Sequence, residues 1–404
     1  MKSKKQNSES LVDVRNRLAK PSMLKDLSDS DMVVSNGPLN TVVTDLITDS
    51  RRVTPGSAFF AIPGQRTDGN NYLEEAISRG AKTIISNQKN EDLPLGVTAI
   101  HTKDPRLALA KFAKKHNGSP DKSLNIIGVT GTNGKTTVTA LARHFLERPG
   151  RPVGLIGTVK YHLGDRDVPS FKTTPEASDI YPLLKSMLAA GCSEAVMEIS
   201  SHGIHQNRVA GLDMEVAVFL NLTRDHLDYH GNMENYFREK RKIFNGENGR
   251  LPKVAVINAD CPYGRRLMDE LPPYVHILSF GEHERSTFRA RNISLSSVGS
   301  EFILDGPFGS TVVSSPLLGR YNVMNILAAF SIVHALGMPV SNAIHKISSF
   351  SGVDGRMEMV DRGQGYKVVV DYAHTPDALR NALSMLRECT NGKLHLVFGC
   401  GGDR

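Results

Sequence analysis

The sequence is poor in cysteine. Its 404 residues include four cysteines, which are widely separated along the chain: Cys192, Cys261, Cys389 and Cys400. No two of them form a C-x-x-C pair or another spacing typical of zinc sites. We therefore expect reduced thiols in a cytoplasmic protein, and neither a disulfide framework nor a structural zinc site.

Long apolar runs are also missing. No segment approaches the roughly 18 consecutive apolar residues of a membrane-spanning helix, and the start, MKSKKQNSES, has no apolar region typical of a signal peptide. The net charge is +7, but the basic residues are scattered and no basic strand is interleaved with aromatic residues. This distribution argues against a nucleic-acid-binding module and suits acidic small molecules such as nucleotides.

The pattern of apolar segments predicts an α/β protein with three domains. Residues 1–35 form a polar segment that we expect to be partly flexible. A small α/β domain is predicted over 36–120, with a linker at 114–123 that joins it to a larger domain over 121–352. Residues 353–404 are predicted to be the start of a third domain. In the large domain, buried strands alternate with helices, which predicts a doubly wound, mainly parallel sheet.

Several segments of the second half have distinctive patterns. Residues 275–315 are predicted to form a β-rich appendage, and 321–337 an amphipathic helix that ends at a glycine. The third domain is predicted to contain a strand at 366–373, a helix capped by Thr375, and a strand at 393–399 (KLHLVFG). Because one βαβ unit cannot cover its own sheet, this domain is predicted to be incomplete.

The segment GVTGTNGKTT, residues 128–137, follows an apolar strand and precedes a helical pattern. In the common phosphate-binding pattern G-x-x-x-x-G-K-[ST], the first glycine would fall at Val129, so this loop has a different register. A glycine-rich turn before a helix still provides free N–H groups for an anion. Lys135 adds a positive charge and Thr136 a hydroxyl for Mg²⁺. The alternative is a glycine-rich turn with a surface lysine.

The loop GTNGKTT resembles the ATP-binding loop of the Mur ligase superfamily, which also includes the folylpolyglutamate synthetases. Further segments match this family in order: SFKTTPEAS, MEISSHGIHQNRV, FLNLTRDHLDYHGNMENYFREKRKIF, LLGRYNVMNILAA, DGRMEMV, VVDYAHTPDAL and VFGCGGDR. NLTRDHLDYHG and DYAHTPDAL resemble the MurE type in particular. The resemblance implies the three-domain Mur ligase architecture, with an ATP-binding central domain and a Rossmann-like third domain that is truncated here.

The resemblance also implies an activity. A ligase of this type uses ATP and Mg²⁺ to join diaminopimelate or lysine to UDP-N-acetylmuramoyl-L-alanyl-D-glutamate, through an acyl phosphate, in peptidoglycan synthesis. Family members continue past GCGGDR to a segment that grips the amino acid, so the choice of amino acid stays open. We expect a cytoplasmic enzyme and a monomer.

Two alternatives remain. A folylpolyglutamate-synthetase-like ligase shares the loop, but that family begins near its ATP domain and has no counterpart of the first 118 residues. A non-catalytic Mur-like scaffold would have no need of Lys135, Glu198, His226 and Lys240, which are all present.

The resemblance assigns roles to individual residues. The catalytic set is Lys135, Lys240, Glu198 and His226. ATP contacts are Gly131, Thr132, Asn133, Gly134, Lys135, Thr136, Thr137, Asn322, Asn325, Arg356 and Asp371. Contacts to the UDP-muramoyl dipeptide are Ser50, Asp68, Thr173, Thr174, Ser200, Gln206 and Arg208. Metal ligands are Thr136, Glu198, His226 and Lys240. Taken alone, the serines and threonines could be helix caps, and His226 a structural histidine.

Lys240 is the least obvious member of this set. It lies in the basic segment REKRK, a pattern that by itself is typical of a solvated helix face. The resemblance places a carbamylated lysine at this position. A neutral amine that adds CO₂ changes its charge from +1 to −1 and becomes a carboxylate-like ligand for Mg²⁺.

Overall fold

The structure is a computed structural model. It describes residues 10–18, 20–30, 32–64, 67–90, 92–374, 376–390 and 392–399. The predicted cap at Thr375 and the cysteine at position 400 lie outside these residues. Within them, Cys192, Cys261 and Cys389 form no disulfide, and no helix is long and apolar enough to cross a membrane.

The N-terminal part contains a five-stranded sheet, a separate two-stranded sheet and helices. Its elements are α1 (Leu11–Leu18), β1 (Ser22–Met23), α2 (Leu24–Leu27), β2 (Val33–Asn36), β3 (Val42–Val43), β4 (Leu46–Ile47), β5 (Ala58–Ala61), α3 (Leu73–Ser78), β6 (Thr83–Ser86), β7 (Thr98–His101) and α4 (Pro105–His116). The sheet order is β2-β7-β6-β5-β4, parallel except for β2. Strands β5 and β6 are buried along their whole length; β5 is entirely apolar, while β6 has a polar residue at each end, Thr83 and Ser86.

Two features of this part differ from expectation. Helix α1 lies in the segment predicted to be partly flexible, yet its Arg15 is only 6% exposed and pairs with Asp45 and with Asp179 of the next domain. The predicted linker at 114–123 is also ordered, because Lys114 of α4 pairs with the buried Asp121 at 2.7 Å. At both places, ion pairs that the local composition does not reveal account for the order.

The central part is built around a sheet of eleven strands. Its elements are β8 (Asn125–Thr130), α5 (Lys135–Leu146), β9 (Val153–Ile156), β10 (Lys160–His162), β11 (Asp167–Pro169), α6 (Ala177–Ala189), β12 (Glu194–Glu198), α7 (Ser201–His205), β13 (Val216–Phe219), α8 (Leu227–His230), α9 (Met233–Arg241), β14 (Val254–Asn258), α10 (Pro262–Glu270), β15 (His276–Gly281), β16 (Phe288–Ser296), β17 (Gly299–Gly306), β18 (Gly309–Ser315), α11 (Arg320–Ala335) and α12 (Val340–Ile347).

The strand order is β11-β10-β9-β12-β8-β13-β14-β15-β16-β17-β18. The run from β9 to β16 is parallel, which confirms the predicted mainly parallel sheet. The β-rich character predicted over 275–315 is confirmed, but the stretch is part of the central sheet and not an appendage to it. Strand β15 belongs to the parallel run, and β16, β17 and β18 continue the same sheet as antiparallel neighbours. Edge-to-edge pairing is a non-local contact that the local pattern does not encode.

Strand β8 lies in the middle of the sheet, between β12 and β13. The chain therefore leaves β8 toward one side and later returns to its other side. Ligands in open α/β sheets bind beyond the carboxyl ends of strands at such a switch point. The segments after β8, β12 and β13 all emerge at this edge.

The C-terminal part is small and exposed. It contains β19 (Glu358–Val360), β20 (Val368–Val370), which pairs antiparallel with β19, and α13 (Pro376–Glu388). The predicted strand at 393–399 is wrong, since 392–399 contains no regular element and Val397 is 97% exposed. A strand is stabilised by hydrogen bonds to a neighbour. No strand among the described residues pairs with 393–399.

Candidate active site

The glycine-rich loop joins β8 to α5, and α5 begins at Lys135 as predicted. Gly134 has φ +91°, a conformation that favours glycine, and it gives the helix no side-chain cap. The first N–H groups of an α-helix have no partner within the helix. Those of α5 are therefore available to an anion at this edge of the sheet.

The loop is held by the segment that follows β13. The side-chain oxygen of Asn221 accepts from the N–H of Asn133 at 2.9 Å, and its amide donates back to the Asn133 carbonyl at 3.0 Å. The hydroxyl of Thr132 accepts from the N–H of Thr223 at 3.0 Å. These bonds fix the loop to the segment that follows the neighbouring strand β13.

Two lysines converge beneath the loop. Lys135 Nζ donates to the carbonyls of Gly131 at 2.8 Å and Thr132 at 2.9 Å, while Lys240 Nζ donates to the same Gly131 carbonyl at 2.9 Å. Lys240 is 1% exposed, so the solvated helix face that composition suggested is not what the structure shows. Burial, followed by the charge of Lys135, lowers the pKa of Lys240 well below its ordinary value.

Glu198 ends β12 and faces the start of α5. It is 1% exposed, and Glu198 Oε2 accepts from the hydroxyls of Thr136 at 3.1 Å and Thr158 at 3.0 Å. Glu198 Oε1 accepts from the N–H of Thr158 at 2.8 Å. A carboxylate and a threonine hydroxyl therefore lie side by side next to the N-terminus of α5.

His226 precedes α8 and is half-buried, with φ +52°. Such a backbone costs about 1–3 kcal/mol in a non-glycine residue and is common at functional sites. Burial lowers the pKa of His226, while Asp225, whose carboxylate lies 3.5 Å from the imidazole, opposes that shift. A neutral imidazole is the form that can ligate a metal.

These groups line one cleft with a volume of about 720 Å³. Among the predicted residues, it is lined by Thr132, Asn133, Gly134, Lys135, Thr136, Thr137, Thr173, Glu198, His226, Asn322, Asn325, Arg356 and Asp371. Lys240 is in contact with the loop but does not line the cleft. The structure therefore brings together residues that are up to 239 positions apart, from Thr132 to Asp371.

Helix α11 and the C-terminal part complete the lining of the cleft. The amide of Asn325 donates to Asn322 Oδ1 at 2.9 Å, so these two side chains form a pair on one face of α11. Arg356 lies with its guanidinium carbon 4.7 Å from the ring centre of Tyr372 and donates to the Thr136 hydroxyl at 3.4 Å. Asp371 accepts from the N–H of Met357 at 2.9 Å.

The predicted acceptor residues of the central domain lie beside the cleft. Thr174 donates to the Glu198 carbonyl at 2.9 Å, and Ser200 caps α7 by accepting from the N–H of Gly203 at 3.1 Å. Arg208 donates to the Thr174 carbonyl at 2.8 Å and to Gln206 Oε1 at 2.6 Å. Ser200 thus has the capping role that its residue type alone suggested.

Ser50 and Asp68 lie in the N-terminal part, outside the cleft. The hydroxyl of Ser50 donates to Glu75 at 2.6 Å, and Asp68 caps the turn at Gly69–Tyr72 by accepting from the N–H of Asn70. Their assignment to UDP binding stays a prediction.

Sequence reasoning missed Thr158, Asn221 and Asp225, which all line the cleft. Each lies just beyond the carboxyl end of a buried strand, near where Glu198 ends β12, so position after a strand could have identified them. Among the described residues, no three His, Cys, Asp or Glu side chains are grouped to hold a metal ion by themselves.

Family models match most of the chain. The Mur ligase middle domain matches residues 129–333, the Mur ligase family catalytic domain matches 43–117, and the glutamate ligase domain matches 355–404. The chain belongs to the Mur ligase family and is an ATP-dependent ligase, as the loop motif predicted.

Relatives sharpen this assignment. Proteins named UDP-N-acetylmuramoyl-L-alanyl-D-glutamate–2,6-diaminopimelate ligase match from Listeria innocua (41% identity over 366 residues) and Geobacillus kaustophilus (42% over 371). Each alignment covers 90% of this chain and 74% of the relative. The predicted resemblance to the MurE type is confirmed.

Solved structures agree. A UDP-N-acetylmuramoyl-L-alanyl-D-glutamate–2,6-diaminopimelate ligase has a TM-score of 0.78 and 30% identity, covering 95% of this chain and 78% of its own. A folylpolyglutamate synthetase bound to AMPPCP and folate has a TM-score of 0.54 and 19% identity, and covers 71% of this chain and 76% of its own. That second likeness shows a shared fold alone, so the folate alternative gains no support from it.

Proposed function

We propose that this ligase joins 2,6-diaminopimelate to UDP-N-acetylmuramoyl-L-alanyl-D-glutamate with the energy of ATP. The observation that carries the proposal is the cleft at the switch point, where Lys135, Thr136 and Glu198 surround the N-terminus of α5. The relatives named above carry this activity in their names. The sequence alone left diaminopimelate and lysine open, and the relatives favour the former.

The chemistry required is activation of a carboxylate followed by amide formation. A carboxylate oxygen of the acceptor attacks the γ-phosphorus of ATP, ADP leaves, and an acyl phosphate forms. The amine nitrogen then attacks the acyl carbon, phosphate leaves, and a proton passes to solvent. Two anions must therefore be held close together, and positive charge and helix N–H groups lower the cost of doing so.

The loop supplies these groups. The ammonium of Lys135 lies within the loop, next to the N–H groups at the start of α5. Arg356 approaches Thr136 from the opposite wall. We infer that the phosphates lie between them, with the adenine toward the Asn322–Asn325 pair and Asp371 near the ribose.

The donor set fits Mg²⁺. Glu198 and Thr136 offer neighbouring hard oxygens, which this ion prefers, and it usually completes its shell with phosphate oxygens and water. The absence of a ready-made cluster among the described residues is consistent with such a partial site. When bound, the ion would neutralise charge on the phosphates. We propose Thr136, Glu198 and His226 as its ligands, together with Lys240 if carbamylated.

Carbamylation of Lys240 is a further part of the proposal. The lysine nitrogen must be neutral to attack CO₂, forming a C–N bond with loss of a proton. The depressed pKa of buried Lys240 favours that neutral form. The product would be an anion beneath the loop, adjacent to the ammonium of Lys135.

The acceptor would extend from the N-terminal part to the cleft. Ser50 and Asp68 are proposed to contact the UDP portion, and Thr173, Ser200, Gln206 and Arg208 the muramoyl dipeptide. We also propose a cytoplasmic location, where ATP and reduced thiols are both present.

Calorimetric titration tests this assignment. We expect the chain to bind UDP-N-acetylmuramoyl-L-alanyl-D-glutamate and Mg-ATP, and not to bind folate. Arg208→Ala should weaken acceptor binding about tenfold or more, the value of a lost charge-assisted contact, and leave ATP binding unchanged. Binding of a folate analogue without binding of the muramoyl nucleotide would assign the chain to the sister family.

A further inference from the structure

Asn207 lies between two proposed acceptor residues, Gln206 and Arg208, and ends helix α7. Its φ is +55°. The N–H of Asn207 donates to the carbonyl of Ile204 at 3.0 Å, and the N–H of Arg208 donates to the carbonyl of Gly203 at 2.9 Å. This is the Schellman arrangement, in which the left-handed residue is usually glycine.

The asparagine has a side-chain partner that glycine would lack. Asn207 Nδ2 donates to Asp104 Oδ2 at 2.7 Å. Asp104 belongs to the N-terminal part, where its other oxygen caps α4 by accepting from the N–H groups of Arg106 and Leu107. One carboxylate therefore caps a helix of one domain and holds a turn of the next.

The opposite end of α4 contacts the same segment. Lys114, in the last turn, donates to the carbonyl of Gly211 at 2.6 Å and to Asp213 at 3.1 Å. Asp104 and Lys114 are ten residues apart, about 15 Å along a helix at 1.5 Å per residue. Helix α4 thus fastens the 207–213 segment at two points.

We propose that Asp104 and Asn207 are positioning residues that set the place of Gln206 and Arg208 for the acceptor substrate. This inference rests on the proposed function, in which the acceptor contacts both domains. The bond fixes the dipeptide-binding turn relative to the domain that would bind the UDP portion. Loss of the bond should therefore weaken acceptor binding and leave ATP binding at the α5 loop unaffected.

An exchange of the two side chains tests the proposal. Asn207→Asp tolerates the same backbone but places two carboxylates together, and we expect acceptor affinity to fall about tenfold in calorimetry. Asp104→Asn keeps the helix cap with its single oxygen and turns an NH₂ group toward Asn207, which can accept from it by rotating its own amide, so this variant should bind the acceptor to within about threefold of wild type. The double variant restores an amide–carboxylate bond and should recover the wild-type affinity to within about threefold.

Two controls complete the test. Asn292 has the same left-handed backbone but lies exposed in β16, away from the proposed site. Asn292→Asp should therefore change neither the affinity for the acceptor nor the affinity for ATP. Asn207→Gly keeps the turn, removes the bond, and should weaken acceptor binding less than Asn207→Asp. ATP affinity should stay within about twofold of wild type in every variant, since no altered side chain touches the loop.

The proposal is overturned if Asn207→Asp binds the acceptor normally, if the double variant is not rescued, or if ATP affinity falls in parallel. Arg208→Ala separates this failure from that of the proposed function. If Arg208→Ala weakens acceptor binding and Asn207→Asp does not, the positioning role alone is wrong. If neither variant weakens acceptor binding, the assignment of Gln206 and Arg208 to the acceptor site is wrong.

Discussion

The two walls of the cleft are supported very differently. On the central-domain side, Glu198 and Asn325 are buried, and the loop is bonded to the segment after β13. On the C-terminal side, Arg356 and Asp371 belong to a part whose strand β20 is largely exposed. The buried contact between the C-terminal part and the central part is a cluster of Leu318, Met357 and Met385.

The difference indicates how each wall contributes. A wall backed by an eleven-stranded sheet resists displacement, because moving it would disrupt a packed core. A wall held by few apolar contacts belongs to the low-stability end of a structure. We therefore expect the loop wall to set the geometry of the phosphates and the C-terminal wall to adjust to them.

Core truncations should give the largest difference between the two regions. Phe219 is fully buried in β13, and its replacement in Phe219→Ala should lower the free energy of unfolding by about 3–5 kcal/mol. Met385→Ala, in the small cluster, should cost less than about 2 kcal/mol, because its neighbours can collapse onto the space. Scanning calorimetry should show the main transition lowered only by the first variant. Equal shifts would contradict the comparison.

Lys240→Ala should have the next largest effect. Removal of a proposed charge beneath the loop should lower kcat about 10²–10³-fold, and millimolar acetate should restore part of it. ¹³C NMR in labelled bicarbonate should show a carbamate signal that this variant lacks. Lys242→Ala is the matched control, since Lys242 is 29% exposed and pairs with Glu239 on the same helix. A normal rate for Lys240→Ala would refute the carbamate.

Lys135→Ala tests the loop wall directly. Loss of one charge-assisted phosphate contact should cost about 1.5–3 kcal/mol, a tenfold to hundredfold weaker binding of ATP. Calorimetric titration of Mg-ATP measures it. An unchanged dissociation constant would show that the loop does not bind phosphate.

Arg356→Ala should weaken ATP binding less than Lys135→Ala does, because the C-terminal wall that carries Arg356 is held more loosely than the loop wall. We expect ATP binding to weaken by less than about tenfold, at the low end for a charged hydrogen bond. Arg362→Ala, an exposed arginine of the same part, should leave binding unchanged. A loss for Arg356→Ala that exceeds the loss for Lys135→Ala would reverse the ranking of the two walls.

Local sequence patterns predicted the elements that carry the site. The predicted helix at 321–337 is α11, Arg320–Ala335, and the strand before the loop is β8, Asn125–Thr130. Both segments are apolar, but their burial is continuous over 126–130 and 325–333, so the amphipathic character predicted for 321–337 is wrong: α11 is buried on all sides. The family assignment is confirmed, while the domain boundaries and individual site roles stay predictions.

What the sequence could not supply were pairings between distant residues. The burial of Arg15 depends on Asp179, and the bond of Asn207 depends on Asp104, each more than 100 positions away. Likewise, 393–399 has a strand-like sequence, but whether a strand forms depends on a neighbour. Periodicity reports on one segment at a time, so these outcomes lie outside its reach.

The contact between Gly134 and Asn325 has a consequence for how nucleotide preference can change. A Cβ atom at Gly134 would lie 2.5 Å from Asn325 Oδ1, so the loop and the proposed base-binding helix α11 touch directly. A larger side chain at position 325, introduced to suit another base, would press on the turn that presents the N–H groups proposed to bind phosphate. Mutational routes to a different nucleotide therefore require paired changes, and single substitutions at position 325 should lower affinity for every nucleoside triphosphate.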